Sequence, residues 1–219
     1  MIPFTFYISH FYILHFPGNL SAVSIRIGKY GQLCRMSDHT FHLLLDDCER
    51  GGRNSQRELY RQYYAYGMNV CLHYAKNREE AQEILNDAFL KVFRKMKLYD
   101  RKQPFKGWLR QILVRTAIDY FRKYHEKEPV LDILPHEDVP VQNEGLAQLS
   151  LDEVMAAVQR LPPAYRMVFN LFEIEGYTHP EIAGLLGIQP GTSKSNLAKA
   201  KEKLRTWLQA EAAVQHKMR

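Results

Sequence analysis

Residues 126–150 set the architecture more firmly than any other part of the chain. They hold three prolines, Pro129, Pro135 and Pro140, and six acidic residues against one lysine, with only scattered aliphatic side chains. Proline fixes φ and removes a backbone donor, so such a stretch supports neither a continuous helix nor a central strand. An extended acidic linker is expected there, with a separate folded unit on either side.

The chain is long enough for that division. Its 219 residues, 46% hydrophobic and 25% charged, suffice for one or two small domains with real cores and exclude a wholly disordered chain. Ordinary proline and glycine counts exclude collagen-like and low-complexity readings. Cys34, Cys48 and Cys71 form neither a CxxC pair nor an even framework, which argues against disulfide-rich and zinc-ribbon folds and fits a reducing cytoplasm. The net charge of +6 is unevenly placed: +9 over residues 53–125, −5 over the linker and +1 over residues 151–209. A basic module is therefore followed by an acidic connector.

Residues 1–35 differ from the rest. They are crowded with Phe, Tyr and Ile without a helical period and break at Pro17-Gly18. They lack a basic n-region and a small-residue cleavage site, and the apolar run is too short and His-interrupted to span a bilayer. The expectation is upstream sequence read through from a misassigned start, with Met36 as the true one; the rival is a membrane-associating leader. Residues 36–52 read as a lead-in to the first helix.

Helical spacing runs from Gln56 to about Met96. Ala81, Ile84, Leu85, Ala88, Phe89, Val92, Phe93 and Met96 follow the i, i+3, i+4, i+7 rule of an amphipathic helix. The other face, with Glu83, Asn86, Asp87 and Arg94, reads on physics alone as a solvated surface. Next, Tyr99, Arg101, Lys102, Phe105 and Lys106 mix rings with cations in a segment broken by Pro104 and Gly107. A helix resumes at Trp108, with Leu109, Ile112, Leu113 and Ala117 as its core stripe and Arg110, Arg115, Arg122 and Lys123 projecting elsewhere. Cations beside exposed rings suit unpaired nucleic acid, because cations follow phosphates while rings stack on unstacked bases. The plainer reading folds the rings, Phe105 and Trp108 in particular, into the core.

Beyond the linker, Leu151, Val154, Ala157, Val158 and Leu161 form one apolar face. Thr178-His179-Pro180-Glu181 is a capping box, with proline tolerated in the first turn. Ala183 and Gly187, four residues apart, admit a crossing helix and a tight turn, the construction of a helix-turn-helix. The second helix runs from about Pro190 to Leu208 with Leu197, Ala200, Leu204 and Leu208 inward. Its N-terminal end presents Thr192, Ser193, Lys194 and Asn196, where a recognition helix reads base edges, followed by Lys199 and Lys201 for phosphates.

Three segments in this order resemble the sigma-70 family of bacterial transcription initiation factors, specifically its two-domain extracytoplasmic-function (ECF) group. Residues 80–93, EAQEILNDAFLKVF, resemble the helix that docks on the clamp of core RNA polymerase. The resemblance implies that Glu83, Asn86, Asp87, Leu90 and Arg94 bind polymerase. FKGWLRQI at 105–112 and AIDYFRK at 117–123 resemble the minus-10 melting region, which implies DNA contact by Tyr99, Arg101, Lys102, Phe105, Lys106, Trp108, Arg110, Arg115, Arg122 and Lys123. Arg115 stands where many members carry asparagine, so base preference does not carry over. LPPAYR at 161–166, EGYT at 175–178 and GTSKSNL at 191–197 resemble the minus-35-binding region; Ser193 and Asn196 replace the commoner valine and arginine. The resemblance assigns minus-35 contact to Thr192, Ser193, Lys194, Asn196, Lys199 and Lys201.

The expected fold is thus all-α: a helical bundle over 53–125, an acidic linker over 126–150, a helix-turn-helix domain over 151–209 and a tail over 210–219. Partners implied are core RNA polymerase, promoter DNA and an anti-sigma factor, in the cytoplasm, with no small-molecule substrate. No GxxxxGK[ST], HExxH, GxSxG or spaced carboxylate pair suggests an enzyme, and no cofactor or metal is expected. The alternative is a stand-alone helix-turn-helix regulator.

Overall fold

The computed structural model describes residues 12–13, 24–25, 38–125 and 151–217, with side chains over 39–125 and 154–210. The fold is all-α apart from a minimal antiparallel ladder, β1 (Tyr12–Ile13) paired with β2 (Ser24–Ile25). The expectations for the linker, and for most of residues 1–35, lie outside the described residues.

Helices α1 (Asp38–Glu49), α2 (Arg53–Tyr74), α3 (Arg78–Lys95) and α4 (Phe105–Tyr124) build the first domain, with a 3₁₀ turn at Met96–Leu98. The stretch expected as a lead-in is itself a helix: Phe41, Leu44, Leu45 and Cys48 line one face of α1, and Leu45 and Cys48 are fully buried. Helix α3 begins at Asn77, whose side chain accepts from the Glu80 amide at 2.9 Å. It carries Glu79 and Glu80 in its first turn and Arg94 and Lys95 in its last, each complementing the helix dipole. Its apolar stripe, Ala81, Ile84, Leu85, Ala88, Phe89 and Val92, is buried as the period requires. Helices α2 and α3 approach closely at Gly67, where a Cβ would stand 2.5 Å from Leu85 Cδ1.

The second domain comprises α5 (Leu151–Arg160), α6 (Pro163–Phe169), α7 (His179–Leu186) and α8 (Pro190–Lys217), with a π-helical turn at Asn170–Ile174. The capping box forms: Thr178 N donates to Glu181 Oε2 at 2.8 Å while the Thr178 side chain accepts from the Glu181 amide. Gly187 ends α7 at φ 70°, the left-handed region glycine tolerates, and the chain turns directly into α8. The expected tail is not separate, because α8 continues unbroken to Lys217. Leu197, Ala200, Leu204 and Leu208 close the core against α6 and α7.

The domains touch. Helix α2 packs on α5 and α6, and α4 packs on α6 and α7.

Candidate nucleic-acid interface

The segment before α4 is organised around Phe105. Its ring lies 5.6 Å from Phe41, 5.0 Å from Tyr63, 5.4 Å from Tyr99 and 5.7 Å from Trp108, centroid to centroid. Phe105 is 4% and Tyr99 8% exposed, so neither can stack on a base in this state. The plainer reading is correct for these two rings: burial of large apolar surface outweighs display to solvent. Trp108, half-buried, is the ring that keeps an accessible edge. Arg101 is likewise turned inward, with Nη2 at 2.9 Å from Asp46 Oδ1 and 3.4 Å from Glu49 Oε2, and it pins the loop to α1.

The remaining cations lie just before and along α4. Lys102, Lys106, Arg115, Arg122 and Lys123 are exposed, and Lys106 Nζ lies 4.4 Å from the Tyr66 ring centroid. Arg110 is the exception. It makes a two-point contact with Glu175 of the second domain, Nε to Oε2 at 2.9 Å and Nη2 to Oε1 at 2.8 Å. It is therefore not presented to solvent as the other helix cations are.

On α3, Glu83, Asn86, Asp87, Leu90 and Arg94 all face outward, and Leu90 leaves 53% of its surface exposed. An isolated exposed leucine is unremarkable, but here it sits among fixed polar groups. Tyr60 Oη and Gln82 Nε2 both donate to Asn86 Oδ1 at 3.0 Å, which sets how the amide faces. Tyr120 Oη donates to Glu83 Oε2 at 3.1 Å. This tyrosine and glutamine support was not foreseen; Tyr60 and Gln82 come together only through the α2–α3 packing.

In the helix-turn-helix, Thr192, Lys194 and Lys199 are exposed and Asn196 half-buried along the start of α8. Two assignments need correction. Ser193 is fully buried, its Oγ 2.9 Å from His179 Nδ1, so it ties α8 to α7 and does not face outward. The sequence held the signal, since Ser193 lies four residues before Leu197 on the inward stripe of α8. Lys201 lies four residues beyond Leu197 on the inward side, and its Nζ is 2.6 Å from Glu173 Oε1. His179 stacks on Phe172 at 4.6 Å; partial burial, then Lys194 and Lys201, hold its imidazole below the ordinary range. No cluster of three or more His, Cys, Asp or Glu suited to a metal occurs among the described residues.

The geometry defines, among the described residues, a two-domain helical protein with a polar outward face on α3, exposed cations along α4 and a helix-turn-helix. The Sigma-70 region 2 family model matches residues 59–126, and the Sigma-70, region 4 model matches residues 151–204. The ECF RNA polymerase sigma factor SigE of Mycolicibacterium smegmatis is 29% identical over 160 residues, covering 69% of this chain and 60% of that protein. The corresponding SigM of Mycobacterium tuberculosis is 28% identical over 156 residues, covering 70% of this chain and 77% of that one. The RNA polymerase sigma-H factor of Pseudomonas aeruginosa is 25% identical over 179 residues, covering 76% and 92%. A solved sigma factor, RpoE of Bartonella quintana in complex with the anti-sigma factor NepR, is 20% identical over 70% of this chain and 96% of that chain, with a TM-score of 0.42. The chain belongs to the sigma-70 family, in its extracytoplasmic-function group, and is a transcription initiation factor.

Proposed function

We propose that the outward face of α3 docks on core RNA polymerase through Glu83, Asn86, Asp87, Leu90 and Arg94. The exposed cations of α4 then hold the minus-10 strand, while Thr192, Lys194, Asn196 and Lys199 read and hold the minus-35 element. The observation that carries this reading is the presence of all three surfaces, in family order, on one chain.

Opening a promoter requires a base to leave its stack, at a cost of a few kcal/mol that a pocket must offset. With Phe105 and Tyr99 buried, Trp108 is the ring left for that contact, with Lys102 and Lys106 beside it. The protein contributes binding energy and position, and the polymerase performs the chemistry. The reading places the factor in the cytoplasm, under an anti-sigma partner; no described helix is long and apolar enough to cross a membrane.

Run-off transcription with bacterial core polymerase and a promoter library tests the reading. Specific transcripts that require this protein are expected. If none appear and core polymerase is not retained in a pull-down, the stand-alone helix-turn-helix regulator replaces it.

A further inference from the structure

Asn86 is exposed on α3, yet its amide is not free to turn. Tyr60 Oη and Gln82 Nε2 each donate to its Oδ1 at 3.0 Å. Gln82 is held in turn, because its Nε2 also donates to Tyr60 Oη at 2.9 Å and its Oε1 accepts from Tyr64 Oη at 2.8 Å. The two tyrosines lie one turn apart on α2, and packing fixes their rings: Tyr60 is 5.7 Å from Tyr64 and meets the buried Phe89 edge-on at 4.8 Å. Three half-buried side chains thus form a polar relay that ends on one exposed amide.

The relay has a direction. A tyrosine hydroxyl carries one proton and a primary amide two, and here both hydroxyl protons and both Gln82 protons are spent inside the network. Asn86 Oδ1 takes two of them, and its Nδ2 has no partner among the described residues. Turning both amides over would leave the Tyr64 proton and one Gln82 proton idle on half-buried side chains. Donors in that position are costly when unpaired, whereas spare donors on exposed Asn86 are satisfied by water. Asn86 therefore presents its two N–H donors outward. Glu83 and Asp87, both exposed, flank it and outnumber the facing Lys123, so an approaching carboxylate meets net negative charge. The acceptor that fits is an uncharged amide carbonyl.

We propose that Tyr60, Gln82 and Tyr64 are positioning residues for docking: they hold Asn86 with its donors outward, toward an amide carbonyl of core RNA polymerase. Ordering the side chain before the partner arrives removes part of the entropic cost of binding. The named partner rests on the docking reading above; the positioning itself does not.

The test titrates the full chain with bacterial core polymerase. Asn86→Ala should weaken binding about tenfold, the worth of one hydrogen bond, and Tyr60→Phe, which keeps the ring and removes one donor, about threefold. In the Asn86→Ala background, Tyr60→Phe should have no further effect, because a positioning residue acts only through the group it positions. A merely structural role would weaken both backgrounds alike. Gln82→Glu, ionised and able only to accept, should turn the Asn86 amide over and bind as weakly as Asn86→Ala. Asn86→Asp, which presents acceptors alone, should bind more weakly still. A circular dichroism spectrum checks that each variant folds. Nuclear magnetic relaxation of the Asn86 side-chain amide in the free chain gives a second readout, with order close to that of the helix backbone in the unaltered protein and lost in Gln82→Ala. A mobile Asn86 amide in the unaltered chain, or an equal effect of Tyr60→Phe in both backgrounds, overturns the positioning. Tighter binding by Asn86→Asp than by Asn86→Ala overturns the donor assignment. If the unaltered chain does not retain core polymerase, the docking reading fails and takes the named partner with it, while an amide ordered in that chain and loose in Gln82→Ala upholds the positioning.

Discussion

Two basic segments, residues 99–110 and residues 192–201, are both rich in cations but are used differently. In the first, two rings enter the core, Arg101 is spent on α1 and Arg110 on the opposite domain. In the second, Thr192, Lys194 and Lys199 stay at the surface, and of the minus-35 candidates Ser193 and Lys201 turn inward. The difference comes from backbone regularity. A helix repeats every 3.6 residues, so its inward positions exclude the rest from the core; residues 99–104 precede α4 and have no such period, so Tyr99 and Arg101 turn to whatever buries or pairs them, and Phe105 meets them from the first turn of α4.

The contrast is sharpest for Phe105→Ala, which removes the ring at the centre of four others. It should cost about 3–5 kcal/mol in denaturant unfolding of the first domain, whereas an exposed base-stacking ring would cost almost nothing. A smaller effect concerns His73 on α2. Burial, then the Arg110 charge, hold its imidazole down to about 4, and its Nδ1 is sealed without a hydrogen-bond partner among the described residues. The unfolded chain therefore binds more protons between about pH 6.5 and pH 4. Stability should be full above that window and fall with pH through it, by about 3 kcal/mol at its lower end. Denaturant titrations at pH 7, 5.5 and 4.5, repeated with His73→Gln, would show the slope disappear in the variant if this residue is its source.

Ser193→Ala should cost about 1–2 kcal/mol, because it leaves the His179 ring nitrogen without its partner. It should leave the salt dependence of promoter binding by the holoenzyme unchanged. Lys194→Ala should do the reverse: thermal stability within about 0.5 kcal/mol of the parent, and a log–log salt slope reduced by about one. If Ser193→Ala flattens the salt slope and Lys194→Ala does not, the inward and outward assignments on α8 are exchanged.

Much of the fold was legible in the sequence for the same reason. The α3 stripe, the Thr178 to Glu181 box and the Gly187 turn depend on residues within one or two turns of each other, and each forms as read. Helix α1 was missed: residues 36–52 read as a lead-in, although Phe41, Leu44, Leu45 and Cys48 recur at helical spacing. The interdomain contact was not legible either. Arg166 and Tyr74 are 92 residues apart, and Tyr74 and Glu175 are 101 apart. Nothing local in LPPAYR or EGYT says which distant carbonyl or cation will meet them. Lys201 and Ser193 fall between these cases, because the period was available but the attraction of a polar helix start outweighed it.

Helix α8 has a mechanical consequence. Its 28 residues form one rod, about 42 Å long at 1.5 Å rise per residue. Its first turns carry the minus-35 candidates, and its far end runs past the last core leucine, Leu208. A rod transmits angle without loss, so a tilt of roughly 10° imposed on that end would swing the other through about 7 Å, two base-pair steps. A tilt applied at the C-terminal turns would therefore shift where the proposed minus-35 side chains lie.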